Sequence, residues 1–372
     1  MKDFKTEFAA IKTEYENGAH VREFEELKAR LSEKVVVLFG AAWIGDFFYH
    51  RLISSGVSIE CFVDNYATGV TPAGYSPIID ASELKEKYPN ATVIISCDKA
   101  RDIIYSQLLE LGYVPEQIIK YPRQLCATMD IKEFWQYLDG YEEAYNFFND
   151  ETSKKVIIDR IRCYLFGENM QKSDCPQYFE KDIIHLAVDE IFVDGGFFTG
   201  DTSEEFIRQT NNKYTRIYGF EPDKYVIDKI KSDIRNSSRI EVISEGLYRE
   251  KSELRFASTG GTSQASGGNI VTEDGKNVSI VPVTSLDELF SGKSIDEYPT
   301  YIKLDIEGAE RDALLGMRNV IRRSKPKLAI CAYHKPEDIY DLYRLICEFR
   351  NDYQFYLRHY ANYFWETVLY AV

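Results

Sequence analysis

Short apolar runs alternate with amphipathic stretches over most of the chain. In its first part, runs of β-branched residues such as KVVVLFG and ATVIISC are separated by segments in which apolar residues recur at helical spacing. Strands that alternate with helices pair in parallel, so this part predicts a small Rossmann-like α/β domain over residues 34–125. Before it, apolar residues at helical spacing from Phe4 to Tyr15 predict one helix over residues 1–33.

The same alternation returns at Ile191 and continues to Val372. It contains seven strand candidates, which are, in order, EIFVDGG, RIYGFEP, IEVISEGL, YIKLDIEG, KLAICAYH, YQFYLRHY and TVLYAV. Helices separate the early ones, which predicts a second and larger α/β domain over residues 177–372. Residues 126–176 are rich in Phe, Tyr and Trp and have helical spacing around 130–166, which predicts a packed helical bridge and a surface for a homodimer.

Composition and charge narrow the classes of function. With 372 residues, 44% hydrophobic and 28% charged, the chain has the composition of a globular protein with room for two domains. A net charge of −15 argues against a nucleic-acid partner. The seven cysteines form no C-x-x-C pair and predict reduced thiols. The sequence shows no signal peptide and no membrane span, so we expect a cytoplasmic protein.

Each α/β domain opens with a strand and a glycine turn. In the first, GAAWIG carries Ala42 where a dinucleotide-binding turn needs a glycine, and Asp64 ends the next strand at the position of a ribose-binding acid. This turn serves packing only, or it binds a nucleotide-sugar or a similar ligand. The second possibility suggests an alternative function, in which the first domain binds a nucleotide-sugar or another enzyme and the second domain is degenerate.

The second turn, VDGGFFTG, favours a particular cofactor. Its strand ends on Asp194, an acid that a diphosphate would repel but that could face the positive amino group or sulfonium of S-adenosylmethionine. The next strand ends at Glu221, whose carboxylate can accept both ribose hydroxyls. The third ends at Glu245 and Gly246, at the edge of an adenine pocket. The two strand-end acids therefore favour S-adenosylmethionine over NAD.

At this point the sequence resembles a known family. VDGGFFTGDTSEEF, YGFEPD, TSLDEL and above all YIKLDIEGAE resemble the FkbM family of S-adenosylmethionine-dependent methyltransferases, over roughly residues 177–372. VVLFGAAWIG and CFVDN resemble the N-terminal extension of some members. The resemblance implies a Rossmann-like methyltransferase sheet of seven strands with an antiparallel C-terminal strand. It also implies O-methylation of a small-molecule or glycan acceptor, on a carbohydrate or a secondary metabolite.

On this resemblance the turn and the following strand ends form the cofactor site. The predicted cofactor-binding residues are Asp194, Gly195, Gly196, Phe197, Phe198, Gly200, Asp201, Thr202, Glu221, Pro222, Gly246, Leu247 and Asp305. Phe197 and Phe198 replace the Ala and Tyr that are common in the family.

The predicted catalytic residues are Asp305 and His334, which end the fourth and fifth strands of the second domain. Methyl transfer to a hydroxyl needs alignment and removal of a proton, and His334 is the candidate general base. Asp305 and His334 could also hold a divalent metal ion, although the sequence shows no dense ligand cluster. Glu310 is expected to complement the dipole of a following helix, and Lys303 to lie at a solvated edge.

One segment lies outside this pattern. Residues 258–269, STGGTSQASGGN, contain four glycines and almost no apolar residue. They predict either an exposed hairpin loop or a mobile flap over the active site.

Overall fold

The computed structural model describes residues 2–71, 76–98, 100–257, 269–272 and 278–372, and divides into two compact units. The first unit comprises Met1–Gln136, Ile158–Met170 and Ala361–Phe364, and the second comprises Tyr137–Ile157, Gln171–Tyr360 and Trp365–Val372. The loop predicted at 258–269 lies outside the described residues except for Asn269.

The first unit contains a six-stranded sheet, in the order β3-β4-β2-β1-β5-β6. All neighbouring strands are parallel except β3, which is antiparallel to β4. The strands are β1 (Val36–Phe39), β2 (Cys61–Asp64), β3 (Gly69–Val70), β4 (Pro77–Asp80), β5 (Thr92–Ile95) and β6 (Ile118–Ile119). The helices are α1 (Phe4–Glu16), α2 (Ala19–Leu31), α3 (Trp43–Ser54), α4 (Leu84–Lys87), α5 (Arg101–Glu110), α6 (Arg123–Cys126) and α7 (Ile131–Phe134).

Two features of this unit differ from the prediction. The single helix predicted at 1–33 is two helices, because Gly18 adopts the left-handed conformation (φ +66°) between α1 and α2. Strands β3 and β4 were not predicted, because SPIID has only two adjacent apolar residues that mark it as a strand. Every residue of β1 and β5 is buried, as expected for parallel strands covered on both faces.

The second unit is built on a seven-stranded sheet in the order β16-β17-β15-β14-β7-β8-β9. Its strands are β7 (Ile191–Gly195), β8 (Arg216–Phe220), β9 (Ile240–Ile243), β14 (Tyr301–Leu304), β15 (Lys327–Cys331), β16 (Phe355–His359) and β17 (Thr367–Ala371). These are the seven predicted strands. The C-terminal strand β17 is antiparallel to both neighbours, which confirms the predicted fold class.

A smaller four-stranded sheet is inserted between β9 and β14. It has the order β10-β13-β11-β12 and consists of β10 (Gly246–Leu247), β11 (Ser252–Ala257), β12 (Asn269–Ile270) and β13 (Val278–Thr284). The sequence did not predict it, because most residues of β11 are polar or only partly buried.

Helices of the second unit are α8 (Leu138–Phe147), α10 (Asp201–Gln209), α11 (Lys224–Ile227), α12 (Ser232–Arg235), α13 (Leu286–Leu289), α14 (Glu310–Leu315), α15 (Arg318–Ser324) and α16 (Asp338–Phe349). Helix α9 (Glu151–Phe166) has residues in both units.

The core of the second unit is rich in aromatic rings. The ring of Phe192 stacks on that of Phe206, with centroids 4.5 Å apart, and its centroid lies 5.1 Å from that of Tyr301. This packing holds β7, β14 and α10 together, and so positions the turn between β7 and α10.

Candidate active site

The turn between β7 and α10 approaches the backbone after β14 very closely. Gly196 has φ +76°, and a Cβ atom on it would lie 1.8 Å from the carbonyl oxygen of Asp305. Phe198 also has a positive φ of +50°, which is uncommon for a bulky residue and typical of strained functional turns. The turn therefore has a backbone shape that only glycine permits at Gly196.

Asp194 and Lys303 form a buried ion pair beneath this turn. They are partners in the register of β7 and β14, and Lys303 Nζ lies 3.1 Å from Asp194 Oδ1. The same ammonium donates to the carbonyl oxygens of Gly195 (3.0 Å) and Gly196 (2.8 Å), while Ser203 Oγ donates to Asp194 Oδ2 (2.7 Å). Although burial favours the neutral amine, the Asp194 carboxylate raises the pKa of Lys303 above its ordinary value.

This pair bears on two predictions. Asp194 is fully buried and paired with the ammonium of Lys303, which argues against a direct contact of its charge with a positive cofactor, so its cofactor role stays a prediction. Lys303 does not lie at a solvated edge, since only 2% of its surface is exposed. Together the two side chains hold the turn and the start of α10 in place.

Glu221 follows β8 and lies next to the turn. One carboxylate oxygen accepts the backbone N–H of Phe198 (2.9 Å), and the other accepts that of Asp223 (2.9 Å). Burial raises the pKa of Glu221 to about 7, even though both backbone N–H groups favour the charged form. A carboxylate that titrates near neutral pH and retains lone pairs at the carboxyl end of a strand can accept the hydroxyls of a nucleoside.

The other predicted cofactor residues fall into two groups. The first group is partly or well exposed and can therefore contact a ligand; it consists of Gly196, Phe198, Asp201, Thr202, Pro222 and Gly246. Buried ones are Gly195, Phe197, Gly200 and Leu247. The ring of Phe197 lies in the core, where it would be only 2.1 Å from a Cβ on Gly219, so a cofactor contact of this residue stays a prediction that concerns its backbone.

Asp305 follows β14 and is held by two tyrosines. Tyr178 Oη donates to Asp305 Oδ2 (2.8 Å) and Tyr333 Oη donates to Asp305 Oδ1 (3.0 Å). Burial alone would raise the pKa of Asp305, but the nearby Lys303 ammonium and His334 ring keep it below its ordinary value. Asp305 is therefore a charged carboxylate with a fixed orientation, and its side chain is 25% exposed.

His334, three residues after β15, faces three carboxylates. Its Nδ1 lies 3.0 Å from Glu310 Oε1, and its Nε2 lies 3.4 Å from Glu307 Oε2 and 3.7 Å from Asp305 Oδ1. Burial would lower the pKa of His334, but Glu310, Glu307 and Asp305 raise it well above its ordinary value. The structure thus brings the predicted pair Asp305 and His334 together, in an imidazolium–carboxylate cluster.

Several residues of this site were not predicted. Tyr178 has no local signal, since it is 127 positions before its partner Asp305. Glu310 was expected to complement a helix dipole, yet it is buried, accepts the Ile306 N–H (2.9 Å) and faces His334. Lys303 had a usable signal: a lysine inside the apolar strand YIKL must find a buried partner.

The glycine turn of the first unit is fully used in packing. A Cβ on Gly40 (φ +120°) would lie 2.6 Å from the Ser96 carbonyl oxygen. Asp64 accepts the backbone N–H groups of Ala41 (3.0 Å), Tyr66 (2.9 Å) and Ala67 (3.3 Å). These contacts explain the turn without a ligand, so binding of a nucleotide-sugar there stays a prediction.

Comparison with known proteins agrees with the fold. Residues 193–355 match the family model described as the Methyltransferase FkbM domain, which confirms the predicted resemblance. A crystal structure of methyltransferase FkbM from Methylobacillus flagellatus KT is similar with a TM-score of 0.62 and 23% identity, covering 95% of this chain and 93% of that chain. At this identity the similarity shows a shared fold.

More distant comparisons add little. Fibrillarin from Aeropyrum pernix, in complex with natively bound S-adenosyl-L-methionine, aligns with a TM-score of 0.31 and 15% identity over 52% of this chain and 71% of that chain. A similarity this low carries no argument. No curated protein matches the sequence. Among the described residues, none of the helices has the length and apolar character needed to cross a bilayer.

Proposed function

We propose, from the premise that residues 193–355 of this chain form an FkbM methyltransferase domain, that the protein is an S-adenosylmethionine-dependent O-methyltransferase. The acceptor is a hydroxyl of a carbohydrate or a secondary metabolite. The observation that carries the proposal is the position of Glu221, a buried acid that accepts the Phe198 N–H of the turn, while Asp305 follows β14 at the same carboxyl edge of the sheet.

The residues at the turn fit this cofactor. When bound, S-adenosylmethionine supplies a methyl group on a positively charged sulfur. Glu221 would accept the ribose hydroxyls through its remaining lone pairs, and Pro222 and Gly246 would border the adenine. Lys303 already balances the charge of Asp194, so the positive end of the cofactor would meet Asp305, whose side chain is 25% exposed and whose backbone lies against the turn at Gly196.

Asp305 and His334 would form the acceptor side of the site. The acceptor hydroxyl would donate a hydrogen bond to Asp305, whose orientation Tyr178 and Tyr333 fix. Its proton would pass to this cluster as the oxygen is methylated. His334 carries a proton at neutral pH because of its raised pKa, so it can act as a general base only after that proton is displaced.

The test is methyl transfer to defined acceptors. The full chain, incubated with S-adenosylmethionine, is expected to release S-adenosylhomocysteine when a hydroxyl-bearing sugar or secondary-metabolite scaffold is added. If the methyl group of the cofactor is labelled, the label should appear in a methyl ether of the acceptor. Transfer to amino-group acceptors alone would reject O-methylation while keeping the methyltransferase assignment.

We also predict that cofactor affinity depends on pH through Glu221. The pKa of this acid is raised to about 7, so it is mostly protonated below that pH, whereas the ribose hydroxyls need the charged form. The association constant for S-adenosylmethionine should therefore be constant above about pH 8 and fall by up to about tenfold per pH unit below 7. Isothermal titration calorimetry from pH 5.5 to 8.5 measures this.

Glu221→Gln is the matched variant for this prediction. It keeps the size of the side chain but cannot titrate. The pH dependence of the association constant that arises from Glu221 should therefore disappear, and any pH dependence that remains arises from titration of the cofactor. At pH 8 the variant should bind at least about tenfold more weakly, because charge-assisted hydrogen bonds to the ribose are lost. The same pH profile in both proteins would show that Glu221 does not contact the cofactor.

A further inference from the structure

Asp305, Glu310 and His334 bring three metal-ligating side chains together at the carboxyl ends of β14 and β15. One ligand atom from each lies within 4.8 Å of those of the other two. Ligand atoms at right angles on a coordination sphere of ~2.1 Å radius are about 3 Å apart, and opposite atoms are about 4.2 Å apart. The separations of 3.0 Å between His334 and Glu310 and 3.7 Å between His334 and Asp305 fall in this range, so the group has the spacing of part of a coordination shell.

His334 provides an independent observation. Its side chain is 90% buried, with 10% exposed, yet neither ring nitrogen has a hydrogen-bond partner among the residues that the structure describes. Both nitrogens face carboxylates at 3.0 to 3.7 Å, but without the alignment of an N–H···O bond. The carboxylates offset the charge of the ring but leave its nitrogens without aligned hydrogen bonds, and coordination to a cation would satisfy one of them.

The surrounding charges and hydrogen bonds also suit a cation. Three carboxylates face one imidazole, which leaves an excess of negative charge even when the ring is protonated. Each oxygen of Asp305 accepts one tyrosine hydroxyl and keeps a further lone pair. Glu310 is fixed in the same way by the Ile306 N–H. Such outer contacts orient the ligands of metal sites.

We propose that Asp305, Glu310 and His334 bind one divalent cation of the class that accepts both carboxylate oxygen and imidazole nitrogen, with Mn²⁺ as its representative. The role of this cation rests on the function proposed above: it would hold the acceptor hydroxyl and lower its pKa. Bound at His334, it would displace the proton of the ring. Glu307, which is 33% exposed and lies outside the ligand group, would then receive the hydroxyl proton.

The test is a titration of the full chain with Mn²⁺, in which electron paramagnetic resonance measures the unbound ion. The wild type should show one saturable site. Glu310→Gln should weaken it at least about tenfold, because the amide can still accept the Ile306 N–H but lacks the charge of a ligand. Glu307→Gln is the matched control: it removes an equal charge beside His334, and should weaken the site much less.

Two results would overturn the proposal: no saturable Mn²⁺ binding by the wild type, or equal weakening by Glu307→Gln and Glu310→Gln, which would indicate only a diffuse attraction of charges. Binding of S-adenosylhomocysteine in the presence of EDTA, measured on the same three proteins, shows separately that each is folded. A wild type that binds Mn²⁺ but not this cofactor product keeps the cation site and rejects the methyltransferase function.

Discussion

Lys303→Met is expected to lower the free energy of unfolding of the second unit by about 3–5 kcal/mol. The substitution leaves the Asp194 carboxylate buried without its counter-charge, and it removes the donor to the carbonyl oxygens of Gly195 and Gly196. Trp365 is the one tryptophan of the second unit, so its fluorescence in a Trp43→Phe, Trp135→Phe background can follow urea unfolding of that unit.

Two controls accompany this variant. Arg311→Met removes a solvent-exposed ion pair with Asp341 in the same unit (2.7 Å), and should cost less than about 1 kcal/mol. Asp194→Asn combined with Lys303→Met removes both buried charges, so the double variant should be more stable than the sum of the two single effects predicts. A loss below about 1 kcal/mol for Lys303→Met alone would mean that the pair does not stabilise the turn.

Gly196→Ala is expected to damage both stability and cofactor binding. Its Cβ would lie 1.8 Å from the Asp305 carbonyl oxygen, at a φ of +76° that alanine tolerates poorly. The turn must then move away from the end of β14, which we expect to cost about 3 kcal/mol or more in unfolding free energy. A displacement of this size should also weaken S-adenosylhomocysteine binding by about a hundredfold, measured by calorimetry below the unfolding temperature.

Gly292→Ala separates the two causes of this effect. Gly292 also has a positive φ (+80°), but a Cβ there would meet nothing within 4 Å in the part of the chain that the structure describes. Alanine at this position should therefore cost only the backbone strain, about 1–2 kcal/mol, and leave cofactor affinity unchanged. If Gly196→Ala and Gly292→Ala lose the same unfolding free energy and both keep their cofactor affinity, the close contact between the turn and Asp305 has no functional importance.

The strands and the strand-end acids were predictable because their signal is local. Seven apolar runs became the seven strands of the main sheet, and Glu221, Asp305 and His334 lie next to the strands that they follow in the sequence. Parallel strands bring their carboxyl ends to one edge, so all three residues lie at that edge, and Asp305 and His334, which follow neighbouring strands, meet there.

The partners of these residues were not predictable, because they depend on register and on long-range packing. Lys303 faces Asp194 only because β14 and β7 pair in the register that places them opposite each other. Tyr178 donates a hydrogen bond to Asp305, which lies 127 positions later in the sequence, and the backbone of Tyr178 has a positive φ (+71°) that no sequence pattern indicates. For Asp194, the position at the strand end was predicted, but the ammonium of Lys303 beside it was not.

Binding of the cofactor tests the central claim most directly. Calorimetric titration of the full chain at pH 8 with S-adenosylmethionine, S-adenosylhomocysteine and NAD⁺ should show one site per chain for the first two ligands and no saturable heat for NAD⁺. Glu221→Gln should bind both at least about tenfold more weakly. If the wild type binds neither S-adenosylmethionine nor S-adenosylhomocysteine, the turn after β7 is not a cofactor site and the proposed methyl transfer is wrong.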